Sequence, residues 1–159
     1  MVTVEHVIAQ YGPALARIAA AYERDRALRE DLVQDIAVAV WRALPSLQDE
    51  AKLKPFVFRI AHNRSVSHVA RQAARPRQDE LSEALPDGGA DPETRLARAE
   101  QSARLVEAVR RLALPYRQVI TLVLEDLSYE EIAEALGITV SNVGVRINRA
   151  KAQLKAMLA

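Results

Sequence analysis

The amino-acid sequence predicts an all-α fold: two small helical domains joined by a flexible linker, the second containing a helix-turn-helix. Half of the 159 residues are apolar, with only five Gly and few aromatic residues, and this composition favours helix. Apolar residues recur at helical spacing along most of the chain. The exception is the segment 76–91, which mixes Pro, Gly and acidic residues as linkers do. We therefore expect domains at 1–75 and 92–159.

Three helices are expected in the first domain. The first covers about 4–22, and the second covers about 26–44 and ends at Pro45, which cannot continue it. The third contains Pro55 in its first turn, where proline is tolerated, and ends near Ala74. The apolar residues expected to face inward include Val7, Ile8, Tyr11, Leu15, Ile18, Leu28, Leu32, Ile36, Val40, Phe56, Val57 and Ile60.

The second domain is expected to begin with a helix over about 92–112. Asp91 is a suitable cap for it, and Pro92 suits its first position. A further helix is expected over about 116–126. The apolar residues expected to face inward from the first of these helices are Leu96, Ala99, Ala103, Val106 and Val109.

The segment 128–154 has the pattern of a helix-turn-helix. Ser128 precedes Glu131 by three residues, which is the spacing of a capping box, and Gly137 suits the tight turn between two helices. The second helix should start near Val140. Its apolar residues Val143, Ile147, Ala150, Leu154 and Met157 follow at helical spacing, as do the polar residues Asn142, Arg146, Arg149 and Gln153. Such a polar stripe, without any acidic residue, indicates a helix that enters the major groove of DNA.

The charges are segregated along the chain, although the formal net charge is only +1. No acidic residue lies between Glu50 and Asp79, and none follows Glu134. The first acid-free block contains Lys52, Lys54, Arg59, Arg64, Arg71, Arg75 and Arg77, and the second contains Arg146, Arg149, Lys151 and Lys155. Within the first block, one helical stripe is formed by Arg64, His68, Arg71 and Arg75. Two separated basic surfaces indicate two contacts with a polyanion.

Several other classes of protein are disfavoured. The chain has no cysteine, and its three histidines lack the spacing of metal ligands on one helix, so we expect no metal and no cofactor. No apolar run approaches the roughly 18 residues that span a bilayer, and no signal peptide is visible, so we expect a cytoplasmic protein without membrane insertion. No catalytic constellation accompanies the acidic residues of the second helix, so we do not expect an enzyme.

That acidic patch, Glu30, Asp31 and Asp35 with Gln34, has two interpretations. It is either a solvated face, which is the commoner case, or a surface that docks another protein. Trp41 lies near the same side of the helix. It is either part of the core or an exposed interface anchor.

Three segments resemble the extracytoplasmic-function (ECF) class of bacterial RNA polymerase sigma factors. EDLVQDIAVAVWRAL at 30–44 is similar to the helix of region 2, and FVFRIAHNRSVSHVAR at 56–71 is similar to the promoter-reading helix of that region. The segment 112–154 is similar to region 4. The three segments occur in the family's order around one linker, and together they cover nearly the whole chain.

The resemblance implies partners and site residues. The partners are core RNA polymerase, promoter DNA and an anti-sigma factor, and the free protein is expected to be a monomer. The loop 45–54 is implied to receive a base flipped from the −10 element. Contact with the clamp helices of the largest polymerase subunit is implied for Asp31, Leu32, Gln34 and Asp35. Contact with −10 DNA is implied for Asn63, Arg64, His68, Arg71 and Arg75. Contact with the −35 element is implied for Ser141, Asn142, Arg146, Asn148, Arg149 and Lys151.

Two alternatives stay open beside a sigma factor. One is a stand-alone helix-turn-helix regulator that dimerises and reads symmetric half-sites. The other is a sigma-like adaptor or decoy that has lost promoter recognition. It is motivated by Ser67, Gly144 and Val145, which depart from the residues common in the family.

Overall fold

A computed structural model describes residues 1–75 and 92–159 of the chain. Within these ranges there are α-helices and two short 3-10 turns and no strand, which confirms the all-α prediction. The α-helices are α1 (Val4–Tyr22), α2 (Arg26–Ala43), α3 (Leu53–Ala73), α4 (Pro92–Arg111), α5 (Leu114–Leu124), α6 (Tyr129–Leu136) and α7 (Val140–Leu158). The 3-10 turns, Leu44–Ser46 and Glu50–Lys52, lie between α2 and α3.

Local signals in the sequence account for most helix ends. The side chains of Thr3 and Asp25 cap α1 and α2 by accepting bonds from backbone N–H groups of the first turn. Helix α1 continues through Pro13 to its end at Tyr22. Helix α5 begins at Leu114 rather than near Tyr116, because Pro115 occupies its first turn instead of separating two helices. The expected linker 76–91 and the expected cap Asp91 lie outside the described residues.

The helix-turn-helix comprises α6 and α7. The predicted capping box is present, since Glu131 N–H donates to Ser128 Oγ over 3.1 Å and Ser128 N–H donates to the Glu131 carboxylate over 2.8 Å. The bond from Ser128, together with Lys54 nearby, holds the pKa of Glu131 below its ordinary value. Gly137 ends α6 with a φ of 69°, in the left-handed region that glycine adopts without a steric penalty. The turn therefore sets the direction in which α7 leaves.

The buried apolar residues form one connected core that runs through both halves of the molecule, residues 1–75 and residues 92–159. Helices α1, α2 and α3 pack together, and α5, α6 and α7 pack together. The two halves then meet where α1 contacts α4 and where α3 contacts α6. The large, fully buried side chains of this core include Leu15, Leu32, Ile36, Phe58, Leu112, Leu122, Ile132 and Ile147.

Polar contacts also join the two halves. The Arg17 guanidinium forms two hydrogen bonds with the Glu125 carboxylate, at 2.7 and 2.8 Å. Arg110 donates to the carbonyl oxygen of Ala20 over 2.8 Å. The guanidinium of Arg117 lies 5.4 Å from the centre of the Tyr22 ring, in a cation–π contact. Burial of the Tyr22 side chain raises its pKa to about 12, although the nearby charge of Arg117 acts in the opposite direction.

Some residues expected to face the core are exposed. Ile8, Leu96 and Met157 are exposed, with accessible fractions of 40%, 61% and 39%. Helical spacing assigned these residues to an apolar face, but which part of such a face is covered depends on the neighbouring helix. In α4 only the carboxyl-terminal part is buried, at Ala108 and Val109, because that part meets the rest of the core.

Candidate nucleic-acid interface

Helix α7 packs with one face and leaves the other open. Val143, Ile147 and Ala150 are buried against the core, as the sequence predicted. Thr139 caps the helix, because its Oγ1 accepts the N–H of Asn142 over 3.1 Å. Five of the predicted −35 contacts, Ser141, Asn142, Asn148, Arg149 and Lys151, are exposed, and Arg146 is half-buried. None of the four cations of this acid-free block is ion-paired within the described residues.

The centre of the exposed face of α7 does not coincide with the polar stripe that the sequence analysis identified. At about 100° per residue, the direction opposite Val143, Ile147 and Ala150 is occupied by Val145, whose exposed fraction is 46%. The stripe of Asn142 and Arg146 lies to one side of it. Measuring the helical wheel from the buried residues rather than from the cations would have identified Val145. An apolar side chain is therefore presented at the centre of a polar surface.

The basic stripe on α3 is only partly open. His68, expected to contact DNA, is 5% exposed, and its Nε2 lies 2.7 Å from the Glu23 carboxylate. The side chain of His68 is therefore not accessible to DNA in this structure, because the side of α3 that bears it packs against the end of α1. Asn63, Arg71 and Arg75 are exposed. The stripe is thus shorter than helical spacing alone suggested.

Arg64 on α3 is held by Asp35 on α2. Its guanidinium donates two hydrogen bonds to the carboxylate, at 2.8 and 2.9 Å, and this pairing raises the pKa of Arg64. Arg71 lies 4.0 Å from the same carboxylate. A predicted polymerase contact and a predicted DNA contact are therefore bonded to each other.

The remaining polymerase-contact predictions lie on α2. Leu32 is only 1% exposed and belongs to the core, so its side chain is not accessible to a partner in this structure. Asp31 and Gln34 are exposed. Val38 and Trp41 are exposed on the same side, since they follow Gln34 by four and seven residues, and 60% of Trp41 is accessible. We call the side formed by Asp31, Gln34, Val38 and Trp41 the α2 face.

The segment 45–54, expected to receive a base, includes the turn Glu50–Lys52 and most of the turn Leu44–Ser46, and it borders a pocket. The pocket is lined by Leu47, Lys52, Pro55, Phe56, Arg59 and Glu134. Glu134 comes from α6, in the other half of the molecule. The lining combines three apolar residues with two cations and one carboxylate.

The described ranges offer neither a metal site nor a membrane span. Residues 1–75 and 92–159 contain no cluster of three or more His, Asp or Glu side chains that could hold a metal ion. In the same ranges, no helix is both long enough and apolar enough to cross a membrane.

Comparison with known proteins identifies both halves. Residues 7–75 match the family model of sigma-70 region 2, and residues 102–154 match that of sigma-70 region 4. The sigma factor NccH of Alcaligenes xylosoxydans xylosoxydans is 30% identical, over 96% of this chain and 84% of that protein. The ECF sigma-E factor of Escherichia coli K12 is 30% identical, over 76% of this chain and 69% of that protein.

A solved structure agrees with these matches. The structure of CnrH in complex with the cytosolic domain of CnrY superposes with a TM-score of 0.73 at 29% identity, covering 98% of this chain and 86% of that one. Fold, order of regions and sequence thus lead to the same family. The chain belongs to the extracytoplasmic-function family of RNA polymerase sigma factors, the subunits that direct core polymerase to specific promoters and start transcription.

Proposed function

We propose that this sigma factor binds its partners through three surfaces: the α2 face binds core polymerase, α3 binds the −10 element and α7 binds the −35 element. The observation that carries the proposal is the open surface of α7. Its cations have no carboxylate partner within the described residues, and it follows a left-handed glycine turn, as a recognition helix does. The protein acts by binding rather than by catalysis, in the cytoplasm and as a monomer when free.

The α2 face suits the clamp helices of the largest polymerase subunit. Asp31 and Gln34 supply polar groups, and Val38 and Trp41 supply apolar area that solvent otherwise covers. Exposed tryptophans are typical anchors of protein interfaces, because they bury a large area at a small cost in side-chain entropy. Asp35, which is bonded to Arg64, lies beside this face and connects it to α3.

On α3, the proposed −10 contacts are Asn63, Arg64, Arg71 and Arg75. Arginine can neutralise a phosphate and displace counterions, and Asn63 can bond a base or a sugar. The adjoining loop 45–54 is proposed to hold a base that has left the stack. Binding of the polymerase near Asp35 would alter its bond to Arg64, so that docking and −10 recognition are coupled.

On α7, base contacts are proposed for the residues nearest its amino terminus. Arginine recognises guanine with two hydrogen bonds, and asparagine recognises adenine in the same way. Arg149 and Lys151 lie further along the helix, where phosphate contacts are expected. The full proposed set is Ser141, Asn142, Arg146, Asn148, Arg149 and Lys151.

An anti-sigma factor is the proposed regulator. The similar structure of CnrH is a complex with the cytosolic domain of CnrY, at 29% identity to this chain. We expect a comparable partner to sequester this protein until a signal releases it. Co-expression of a candidate partner should then abolish transcription from the cognate promoter, while deleting that partner should raise it.

The central test is reconstitution. The chain should copurify with core polymerase and direct it to defined transcript starts. Replacing Arg146 by Ala should weaken promoter binding by about 1–3 kcal/mol and relax selectivity at one −35 base pair. Arg111→Ala is the matched control, since Arg111 is exposed and lies outside the proposed contacts.

Each alternative function has its own signature. Tight binding to duplex DNA as a dimer, with no affinity for core polymerase, would establish a stand-alone regulator instead. Full function of both Arg146→Ala and Arg71→Ala would establish a decoy that does not read promoters.

A further inference from the structure

The amino-terminal part of the first acid-free block is covered by α6. Lys52 Nζ lies 3.2 Å from the Glu134 carboxylate, and Lys54 Nζ lies 3.6 Å from the Glu131 carboxylate. The Arg59 guanidinium donates to the main-chain carbonyl oxygens of Glu134 and Ala135. These three cations thus find their partners in the other half of the molecule, about 75 residues or more further along the chain.

Helix α6 presents to α3 the same kind of charge as a phosphate chain, from Glu131 in its first turn to the carbonyl oxygens at its carboxyl-terminal end. The last carbonyl groups of a helix have no partner within the helix, and they carry the negative end of its dipole. Two carboxylates and two such carbonyl oxygens face Lys52, Lys54 and Arg59. A DNA backbone would present the same kind of acceptors to the same three cations.

The Lys52–Glu134 ion pair in this contact is of a kind that a polyanion can displace. The Lys52 side chain is 56% exposed and that of Glu134 is 41% exposed, so solvent screens their attraction. Exposed ion pairs stabilise a fold only weakly. The surface borders the apolar pocket of Leu47 and Phe56 beside the loop 45–54, so it is continuous with the proposed −10 site.

We propose that Lys52, Lys54 and Arg59 form a phosphate-binding surface for DNA, and that α6 occupies it in the free protein. The inference rests on the proposed function only in taking DNA as the partner. Because binding then requires release of α6, the apparent affinity is lower than the intrinsic affinity in proportion to the open fraction. The helix-turn-helix domain thereby limits access to the −10 side of the molecule until it moves away.

The first test weakens the cover. Glu134→Lys removes the partner of Lys52 and repels it, while Glu100→Lys makes the same change in net charge at an exposed residue of α4 without an ion pair in the described ranges. Both full-length variants are titrated with a short duplex of arbitrary sequence at low salt. We expect Glu134→Lys to bind at least about threefold more tightly than Glu100→Lys, as the loss of one exposed ion pair allows. Equal affinities would overturn the proposal.

The second test asks whether Lys52 touches phosphate once α6 is released. In the Glu134→Lys background, Lys52→Ala should reduce the slope of log affinity against log salt by about 0.9, the value for one phosphate contact on duplex DNA. An unchanged slope would remove Lys52 from the surface. Thermal unfolding of every variant checks that the fold is retained.

The third test needs no substitution. A zero-length carbodiimide reagent should link Lys52 to Glu134 in the wild-type protein, since their charged groups lie 3.2 Å apart. Mass spectrometry should find this link suppressed when duplex DNA is added, and persistence at full yield under saturating DNA would contradict the proposal. Neither polymerase nor promoter sequence enters these assays. A failure here therefore leaves the reconstitution of transcription as a separate result.

Discussion

Replacement of Trp41 by Ala should impair polymerase binding without harming the fold. The indole is 60% exposed on the α2 face, so its removal takes little from the core. A tryptophan that offers roughly 200 Å² in total therefore presents about 120 Å² to a partner, worth about 3 kcal/mol at 25 cal/mol per Å². This value is an upper one, because docking covers only part of the exposed area. We expect Kd for core polymerase to rise about 10- to 100-fold.

The assay compares equilibrium binding of labelled wild-type and variant proteins to core polymerase. Trp41 is the single tryptophan of the chain, so the fluorescence of the free protein reports on it alone and should resemble that of indole in water. Leu96→Ala is the matched control, since Leu96 is another exposed apolar side chain but lies on α4. By the same arithmetic the buried 40% of the indole, about 80 Å², limits the loss in the free energy of unfolding of Trp41→Ala to about 2 kcal/mol, and urea denaturation should show that both variants stay folded. A Kd for Trp41→Ala within twofold of wild type would refute the assignment of the α2 face.

Three further predictions concern α7 and α3. Gly144→Ala should raise the free energy of unfolding, measured by urea denaturation, by up to about 1 kcal/mol, because alanine favours helix. The new Cβ would lie in ordinary contact, 3.7 Å from the Tyr129 ring. A loss of DNA affinity instead would indicate that Gly144 lets the DNA backbone approach closely. Val145→Ala should reduce −35 affinity for thymine-containing promoters and abolish the effect of replacing one thymine by deoxyuridine, which lacks the methyl group; an effect of deoxyuridine that is equal in both proteins would exclude this contact. Burial lowers the pKa of His62 from 6.5 to about 4, so the unfolded chain binds this proton first as the pH falls and stability is lost between about pH 6.5 and 4. Between pH 7 and pH 5 the free energy of unfolding of the wild type should fall by about 2 kcal/mol. Urea denaturation at the two pH values should show a smaller fall for His62→Gln. An equal fall in both proteins would exclude His62 as the source.

Local chemistry explains the parts of the fold that were predictable. Helix ends follow from neighbouring residues, as in the capping box of Ser128 and Glu131 and the left-handed turn at Gly137. The buried face of α7 was also predictable at Val143, Ile147 and Ala150, because apolar residues three or four positions apart lie on one side of a helix. The start of α5 was expected about two residues too late, because Pro115 lies in its first turn and does not precede the helix.

The candidate sites were predictable as segments but not residue by residue. Leu32 and Asp31 are neighbours, and yet one is buried and the other exposed. His68 shares a helical stripe with Arg71, but only His68 meets Glu23 in the packed molecule. Burial depends on which helix covers a face, and that information is not local.

The amino-acid sequence alone therefore determined the helical class, the order of the helices, the helix-turn-helix and the two acid-free blocks, because each depends on spacing and on interactions over a few residues. Only the tertiary structure decided which cations are free. The block on α7 remains unpaired within the described residues, whereas Lys52, Lys54 and Arg59 meet α6 and Arg64 meets Asp35. The physical reason is that Coulomb attraction acts through space: a carboxylate far along the chain neutralises a lysine as well as an adjacent one does, once folding brings the two together.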